Sequence, residues 1–219
     1  MSRDVPSRRV GGGLCDLQSL TLRELAQLVG IRYRVVAVDV MTVGVDGTGL
    51  NPLTTDGANA GMPSWSPDGK QVVFRIATGT KRTLHILDVA TGATRKLESG
   101  SDFDTFPTWS PRGDWIAFTS RRDDDYEIYR IRPDSTGLDR LTRSPGNDAH
   151  PSFSPDGEWI AFATARQGFK DEAVQLLLSG TFQPYGEIAV MRATGSDVRL
   201  LTDNSTEEGA AAWIPRRRP

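Results

Sequence analysis

Apolar and polar residues alternate with a period of two along most of the chain after about Tyr33, the pattern of strands with one buried face. Within this pattern PSWSPDG at 63–69 returns as PTWSPRG at 107–113 and as PSFSPDG at 151–157. The copies start 44 residues apart both times (107 − 63 and 151 − 107). A repeat of this length, with short strands separated by turn residues, predicts sheets that bury their faces against one another.

The repeat predicts three complete units of four short antiparallel strands. They are 63–106, 107–150 and 151–210, and the third contains an insertion at 167–186. In the first unit the predicted strands are Ser64–Ser66, Gln71–Ala77, Thr83–Asp88 and Thr94–Leu97. The second strand is apolar on both faces, as a sheet stacked between two like sheets requires. One large aromatic ring per unit is expected to pack between neighbouring sheets. These rings are Trp65, Trp109, Phe153 and, in a degenerate fourth copy of the motif, Trp213.

The two ends of the array look complementary. DGTGLNPLT at 46–54 aligns with DSTGLDRLT at 134–142 at an offset of 88, so residues 35–62 read as a partial unit that keeps its last two strands and lacks its first. The degenerate copy at 211–215 is expected to supply this missing first strand and so to close the ring of sheets. The same ends would also pair between two chains, giving a homo-oligomer, or the sequence is a fragment of a longer ring.

The remaining segments are short. Residues 1–34 read as a leader with a poorly ordered start and one short helix, since Thr21 and Glu24 match a capping box and Gly30 follows the apolar face. Residues 216–219 form a basic tail. No apolar run in the leader has the length of a signal peptide or a spanning helix, so no membrane insertion is expected and the chain as it stands reads as cytoplasmic.

Composition narrows the function classes. The net charge of −2 gives no global field for recruiting nucleic acid, and the single cysteine excludes an intrachain disulfide and a cysteine-based metal cluster. There is no G-x-S-x-G motif, and GVDGTG lacks the lysine of a phosphate-binding loop. Catalysis therefore has little support. The counts of 22 glycines and 13 prolines fit a protein with many tight turns.

The units resemble the WD-like repeats of TolB-type β-propellers. The resemblance covers about residues 39–215 and rests on the first-strand motif, on Ile116–Phe118 and Ile160–Phe162, and on Glu127–Tyr129 in a third strand. It implies an all-β propeller, here with three complete blades and one split blade. Relatives with such blades include the periplasmic partner of the Tol–Pal envelope system, peptidase propellers, oligogalacturonate lyases and sensor domains. The resemblance thus implies a periplasmic location as the alternative to a cytoplasmic one.

Two kinds of link emerge on one face of a propeller: those from a fourth strand to the next first strand, and those from a second to a third strand. On that face we expect an acidic channel mouth with neighbouring cations and a lid formed by the insertion. The mouth residues are Asp104, Asp148, His150, Glu208, Arg121 and Arg122, and the lid residues are Phe169, Leu176, Leu177, Leu178 and Phe182. Carboxylates around an axis would suit calcium or magnesium, with Asp104, Asp148 and Glu208 as candidate ligands.

Alternatives stay open for several of these residues. Each aspartate is also a candidate cap of its own tight turn, as aspartate is in many turns, and Asp123–Asp125 reads as a solvated turn. His150 is a candidate ligand or acid–base group beside Asp148, whereas His85 reads as packing in a third strand. No cofactor is required by the sequence.

These expectations lead to one preferred function and two alternatives. The preferred one is a non-enzymatic propeller that binds a protein or peptide partner at the face with the mouth and the insertion. The alternatives are a propeller module of a serine peptidase-like hydrolase or polysaccharide lyase, and a sensor of a small ligand or sugar.

Overall fold

The computed structural model describes residues 38–55, 59–123, 125–166, 186–203 and 211–214. The chain divides into two compact units, Met1–Val36 and Ala37–Pro219, and all described residues belong to the second. The predicted short helix and the lid residues lie outside the described residues. None of the described residues belongs to a helix long and apolar enough to cross a membrane.

The described residues form fourteen strands. They are β1 (Met41–Thr42), β2 (Asn51–Pro52), β3 (Ala60–Trp65), β4 (Gln71–Thr78), β5 (Lys81–Asp88), β6 (Thr94–Lys96), β7 (Asp104–Trp109), β8 (Ile116–Asp123), β9 (Asp125–Ile131), β10 (Asp139–Arg140), β11 (Asp148–Phe153), β12 (Trp159–Thr164), β13 (Glu187–Arg192) and β14 (Arg199–Leu200).

Three four-stranded antiparallel sheets follow one another along the chain, as the repeat predicts. The first sheet is β3-β4-β5-β6, the second β7-β8-β9-β10 and the third β11-β12-β13-β14. Each first strand begins earlier than predicted, at Ala60, Asp104 and Asp148, because pairing with the second strand continues past the proline of the motif. The residues before the proline are therefore part of the sheet and not of the link.

The turn between first and second strands explains the repeated motif. Gly69 has a φ of 70°, a left-handed conformation that glycine adopts without steric cost, and its N–H donates to the Ser66 carbonyl at 3.0 Å. The Ser66 hydroxyl donates to Asp68 at 2.7 Å and accepts from the N–H of Gln71 at 2.9 Å. Serine, aspartate and glycine each therefore have a defined role in reversing the chain.

The sheets pack through their second strands and through the predicted rings. Trp109 is only 7% exposed and joins a core with Val73 and Leu84 of the first sheet and Phe118 of the second. Phe153 packs in the same way between the second and third sheets. The predicted packing between sheets is confirmed for these two rings. Trp65 is 47% exposed.

The partial unit repeats the design of the complete sheets. The Thr54 hydroxyl donates to Asp39 at 2.9 Å and accepts from the N–H of Val40 at 2.9 Å. Thr202 makes the same contacts with Glu187 and Ile188. Strands β1 and β2 pair in a two-stranded sheet, which agrees with the expectation that the last two strands of this unit are kept.

The predicted closing segment differs from expectation in one respect. Residues 211–214 carry no strand, and the Trp213 indole N–H donates to the Ser152 carbonyl of the third sheet at 2.9 Å. Trp109 likewise uses its backbone N–H to donate to Ser64 of the preceding sheet at 2.9 Å. Trp213 therefore contacts the third sheet where a following first strand would lie. By the 44-residue repeat spacing, the second strand with which it would pair is expected before residue 38, outside the described residues, so ring closure stays a prediction.

Candidate functional site

The first strands of the three sheets lie side by side, with β3 against β7 and β7 against β11. The start of each first strand lies at the same end of its sheet as the end of the second strand, because the pair is antiparallel. The links that leave this end include 167–186. We call this end of the sheets the mouth. It carries the residues for which the sequence predicts a functional role.

Asp104 lies at the mouth but does not face solvent. Its side chain is 0% exposed and forms an ion pair with Arg122, with 3.4 Å between Nη2 and Oδ1. It also accepts a short hydrogen bond from the Ser99 hydroxyl. Burial raises the pKa of Asp104 above its ordinary value, and hydrogen bonds from Ser120, Ser99 and Arg122 oppose that rise. The carboxylate is used within the second sheet.

Asp148 repeats this arrangement in the third sheet. Its side chain is 0% exposed and pairs with Arg166 at 2.7 Å. The Asp148 carboxylate also accepts hydrogen bonds from the hydroxyls of Thr164 at 2.5 Å and Ser144 at 3.0 Å. Both aspartates are thus buried and paired with an arginine of the same sheet, so neither offers a carboxylate to the mouth or caps its own tight turn.

The predicted partner-binding role of Arg122 changes for the same reason. Its guanidinium donates to the Ser99 carbonyl at 2.9 Å and lies 4.4 Å from the centroid of the Tyr129 ring. Arg121 is exposed, and its guanidinium carbon lies 5.8 Å from the centroid of the Tyr126 ring. Glu208, Phe169, Leu176, Leu177, Leu178 and Phe182 lie outside the described residues. Within the described ranges, no group of three or more histidine, cysteine or acidic side chains is arranged to hold a metal.

At the mouth, the same backbone irregularity recurs in all three four-stranded sheets. The residue before each repeat proline has a positive φ: 56° at Met62, 49° at Phe106 and 54° at His150. Each lies in a β-bulge of the first strand. Left-handed backbone is uncommon for residues other than glycine, although asparagine, aspartate and histidine adopt it more often than the rest, and it costs about 1–3 kcal/mol where packing enforces it.

These three side chains follow one another along the inner edge of the array. The Phe106 and His150 rings contact each other, with centroids 3.6 Å apart and planes tilted by 40°. The Thr105 hydroxyl contacts the sulfur of Met62 at 3.2 Å. All three side chains are half-buried, so part of each stays accessible. We call Met62, Phe106 and His150 the inner row. His150 therefore faces the mouth against Phe106, and His85 packs within the first sheet against Phe74 and the Thr83 hydroxyl.

The sequence contained signals for both features. The buried ion pairs share a spacing of 18 residues (122 − 104 and 166 − 148), whereas the first unit has Ala60 and Thr78 at the corresponding positions. Joint presence in two units and joint loss in the third indicates direct contact. The bulge is marked by a bulky residue before each proline, where an extended strand would otherwise continue.

The TolB beta propeller domain family matches residues 32–173, more than half of the chain. The chain belongs to this family. As a TolB-like propeller, it is confirmed as an all-β array of four-stranded antiparallel blades. Nothing among the curated proteins matches it.

Solved structures agree with this assignment. A protein described as TolB from Agrobacterium tumefaciens has a TM-score of 0.63 and 23% identity over 75% of this chain and 56% of its own. TolB from Acinetobacter baumannii has a TM-score of 0.62 and 26% identity, covering 78% of this chain and 39% of its own. An oligogalacturonate lyase in complex with manganese has a TM-score of 0.52 and 15% identity over 76% of this chain and 48% of its own. The TolB-like propeller described here spans about half or less of each.

Proposed function

We propose that this TolB-like propeller is a non-enzymatic scaffold that binds a protein or peptide partner at the mouth, on the face from which 167–186 emerges. The observation that carries the proposal is the inner row, Met62, Phe106 and His150, held in left-handed backbone in three successive sheets. Strained backbone persists only where the surrounding structure enforces it, and it concentrates at functional sites.

The chemistry of the inner row suits a partner side chain. The thioether of Met62, the phenyl ring of Phe106 and the imidazole of His150 lie on three successive first strands, and each side chain is half-buried. Accessible apolar and aromatic groups on a rigid scaffold are typical of the anchor points of protein interfaces. The imidazole of His150 adds a polar group that can orient the bound segment.

The buried aspartates alter the proposal that the sequence suggests. Asp104 and Asp148 are neutralised by Arg122 and Arg166, so attraction of a basic partner by these carboxylates is not part of it. Their role is to hold the ends of the second strands against the first strands. This bracing supports recognition because the inner row lies on the first strands.

Selection from a phage-displayed library of random peptides would test the proposal. Peptides enriched on the native chain would be synthesised, and their Kd measured by fluorescence anisotropy. His150→Ala and Phe106→Ala are expected to weaken binding about 30-fold, the effect of losing about 2 kcal/mol at an interface anchor. Arg199→Ala is the matched control, because Arg199 lies at the opposite end of the third sheet.

The deletion of 168–184 tests the contribution of the insertion in the same assay, with folding checked by circular dichroism. Binding that survives both inner-row substitutions would contradict the proposal. So would peptides that lose affinity only in the Arg199→Ala variant, because they would bind at the opposite end.

A further inference from the structure

Arg75 occupies a position at the mouth that no other sheet fills with a charge. It lies on β4 two residues after Val73, so its side chain leaves the strand on the side that faces the second sheet. Its Nη2 atom lies 3.8 Å from the point where a Cβ on Gly61 would be. Gly61 is the residue before Met62, and the guanidinium therefore lies beside the inner row.

The repeat supplies two internal comparisons. Gly61 is opposite Arg75, whereas the corresponding pairs are Thr105 opposite Thr119 in the second sheet and Ala149 opposite Ala163 in the third. The other two sheets thus place two small side chains where the first sheet places a glycine and an arginine. A Cβ at position 61 would meet the guanidinium at ordinary contact distance, and the fold itself does not require an arginine opposite it.

The guanidinium of Arg75 lacks a counter-ion within the described residues. Its Nε is buried and donates no hydrogen bond, and no ion pair involves this side chain in the described ranges. The aspartate that the other sheets carry is Ala60 in this sheet. Burial, and next the charge of Arg82, lower the pKa of Arg75 below its ordinary value. Two carboxylates around the start of β7 are paired with other cations, Asp104 with Arg122 and Asp102 with Lys81.

Arg82 adds a second cation near Arg75, whose pKa its charge lowers. It lies two residues before Leu84 of the shared core, so its side chain also leaves β5 toward the second sheet. Its guanidinium donates to the carbonyls of Gly79 and Lys81, both at 3.1 Å, and forms no ion pair with a described carboxylate. Two arginines on the side of the first sheet that faces the second sheet, without a matching acid among the described residues, form a site for an anion.

We propose that Arg75, assisted by Arg82, binds a carboxylate of the peptide partner, either its C-terminus or an acidic side chain. This inference rests on the proposed function and names the chemistry that its partner must carry. The planar guanidinium fork matches a carboxylate. Phe103 forms an isolated backbone β-bridge with Arg82, and its side chain is 46% exposed. Met62 follows Gly61 in the chain, so apolar side chains lie on both sides of the two cations. That apolar surface suits the rest of an amino acid better than a bare inorganic ion.

Nuclear magnetic resonance of the arginine Nε–H groups tests this directly. The Arg75 signal would be assigned by its loss in Arg75→Lys. Titration with N-acetyl-dialanine is expected to shift it with a Kd of about 1 mM, the affinity expected of a ligand of this size. The C-terminal amide of the same peptide lacks the carboxylate and should leave the signal unchanged. Arg75→Gln should weaken binding at least about tenfold, whereas Arg143→Gln, the same change at an exposed arginine of the link after β10, should not.

Several results would overturn the inference. They are equal binding of the acid and the amide, tighter binding of inorganic phosphate than of the carboxylate, and binding that survives Arg75→Gln. A lower thermal midpoint in Arg75→Gln would also do so, because removing an uncompensated cation should leave that midpoint unchanged or raise it. To separate this inference from the proposed function, library-selected peptides would be tested as acids, as C-terminal amides and with each aspartate or glutamate replaced by its amide. Loss of affinity on amidation alone identifies the C-terminus, and loss on a side-chain replacement identifies an acidic side chain. Affinity that all of these changes leave unaltered, with sensitivity to His150→Ala, would refute the carboxylate site alone.

Discussion

Trp109 and Trp65 occupy the same position in successive repeats but differ in burial, and this difference gives a quantitative prediction. Trp109 is 7% exposed and packs against Val73 and Leu84 of the preceding sheet, whereas Trp65 is 47% exposed. Replacing each with alanine removes the same atoms from the same kind of strand. The two variants therefore differ mainly in the apolar surface that each ring buries.

The size of the effect follows from that surface. Complete burial of a tryptophan removes roughly 200 Å² from water, which at about 25 cal/mol per Å² is about 5 kcal/mol. We expect Trp109→Ala to cost about 4–5 kcal/mol and Trp65→Ala about 2–3 kcal/mol, in proportion to the buried fractions. The gap of about 2 kcal/mol between them depends little on the unfolded state, because both variants share it.

Urea unfolding followed by far-ultraviolet circular dichroism would measure both costs without relying on tryptophan fluorescence. The m-value should be equal in the two variants, so that the midpoints report stability alone. Equal costs, or a larger cost for Trp65→Ala, would refute the claim that the ring of the second unit wedges between sheets while that of the first does not.

Three further predictions concern buried polar groups. Asp148→Asn should lower the free energy of unfolding in urea at neutral pH by about 3–5 kcal/mol, because it leaves Arg166 unpaired. Adding Arg166→Met should recover most of that loss. A loss below about 1 kcal/mol in Asp148→Asn alone would contradict this prediction. Burial raises the folded-state pKa of Asp104, so its contribution to stability is complete below the unfolded value and is lost as pH rises through the folded value. The unfolding free energy of the wild type relative to Asp104→Asn should therefore increase as pH is lowered from 7 toward 4, and a constant or decreasing difference would refute it. Burial and a hydrogen bond to Asp123 raise the pKa of Tyr129 to about 12. Ultraviolet titration after a rapid pH jump should therefore show a late tyrosine ionisation, and Tyr129→Phe should abolish that step.

The fold was predictable because its information is local and repeated. Each reversal between first and second strands depends on a serine, a glycine and an acidic residue within six positions, as at Ser66, Asp68 and Gly69. The two-sided apolar second strands required stacked sheets, and the rings at 109 and 153 marked the contact between them. Strand starts were predicted too late because the proline of the motif lies inside the first strand, at the bulge.

The site was less predictable because its contacts join residues that the repeat pattern treats separately. Asp104 read as a link residue, yet an arginine 18 positions later neutralises it within the sheet (122 − 104). The positive φ of Met62, Phe106 and His150 depends on the bulge, which pairing between two strands creates. Single-position properties could identify these residues as unusual but could not give the direction of their side chains.

Arg112 departs from the repeat motif, and its contacts explain the departure. It replaces the aspartate of the turn, and the Ser110 hydroxyl donates instead to Asp114 at 2.9 Å, so the turn is preserved. The freed arginine donates to the Asp156 carbonyl at 2.9 Å and pairs with Glu158, which ties the second sheet to the third.

Arg75 is a departure of the other kind. It also breaks the repeat, but no described residue pairs with its guanidinium. Removing a cation partly from water costs free energy, and an internal hydrogen-bonded partner offsets that cost. A departure with an internal partner, such as Arg112, is explained by the contact that it makes between sheets. A departure without one needs an external anion to offset that cost, and for this reason Arg75 points to the chemistry of the partner more directly than any residue that follows the repeat.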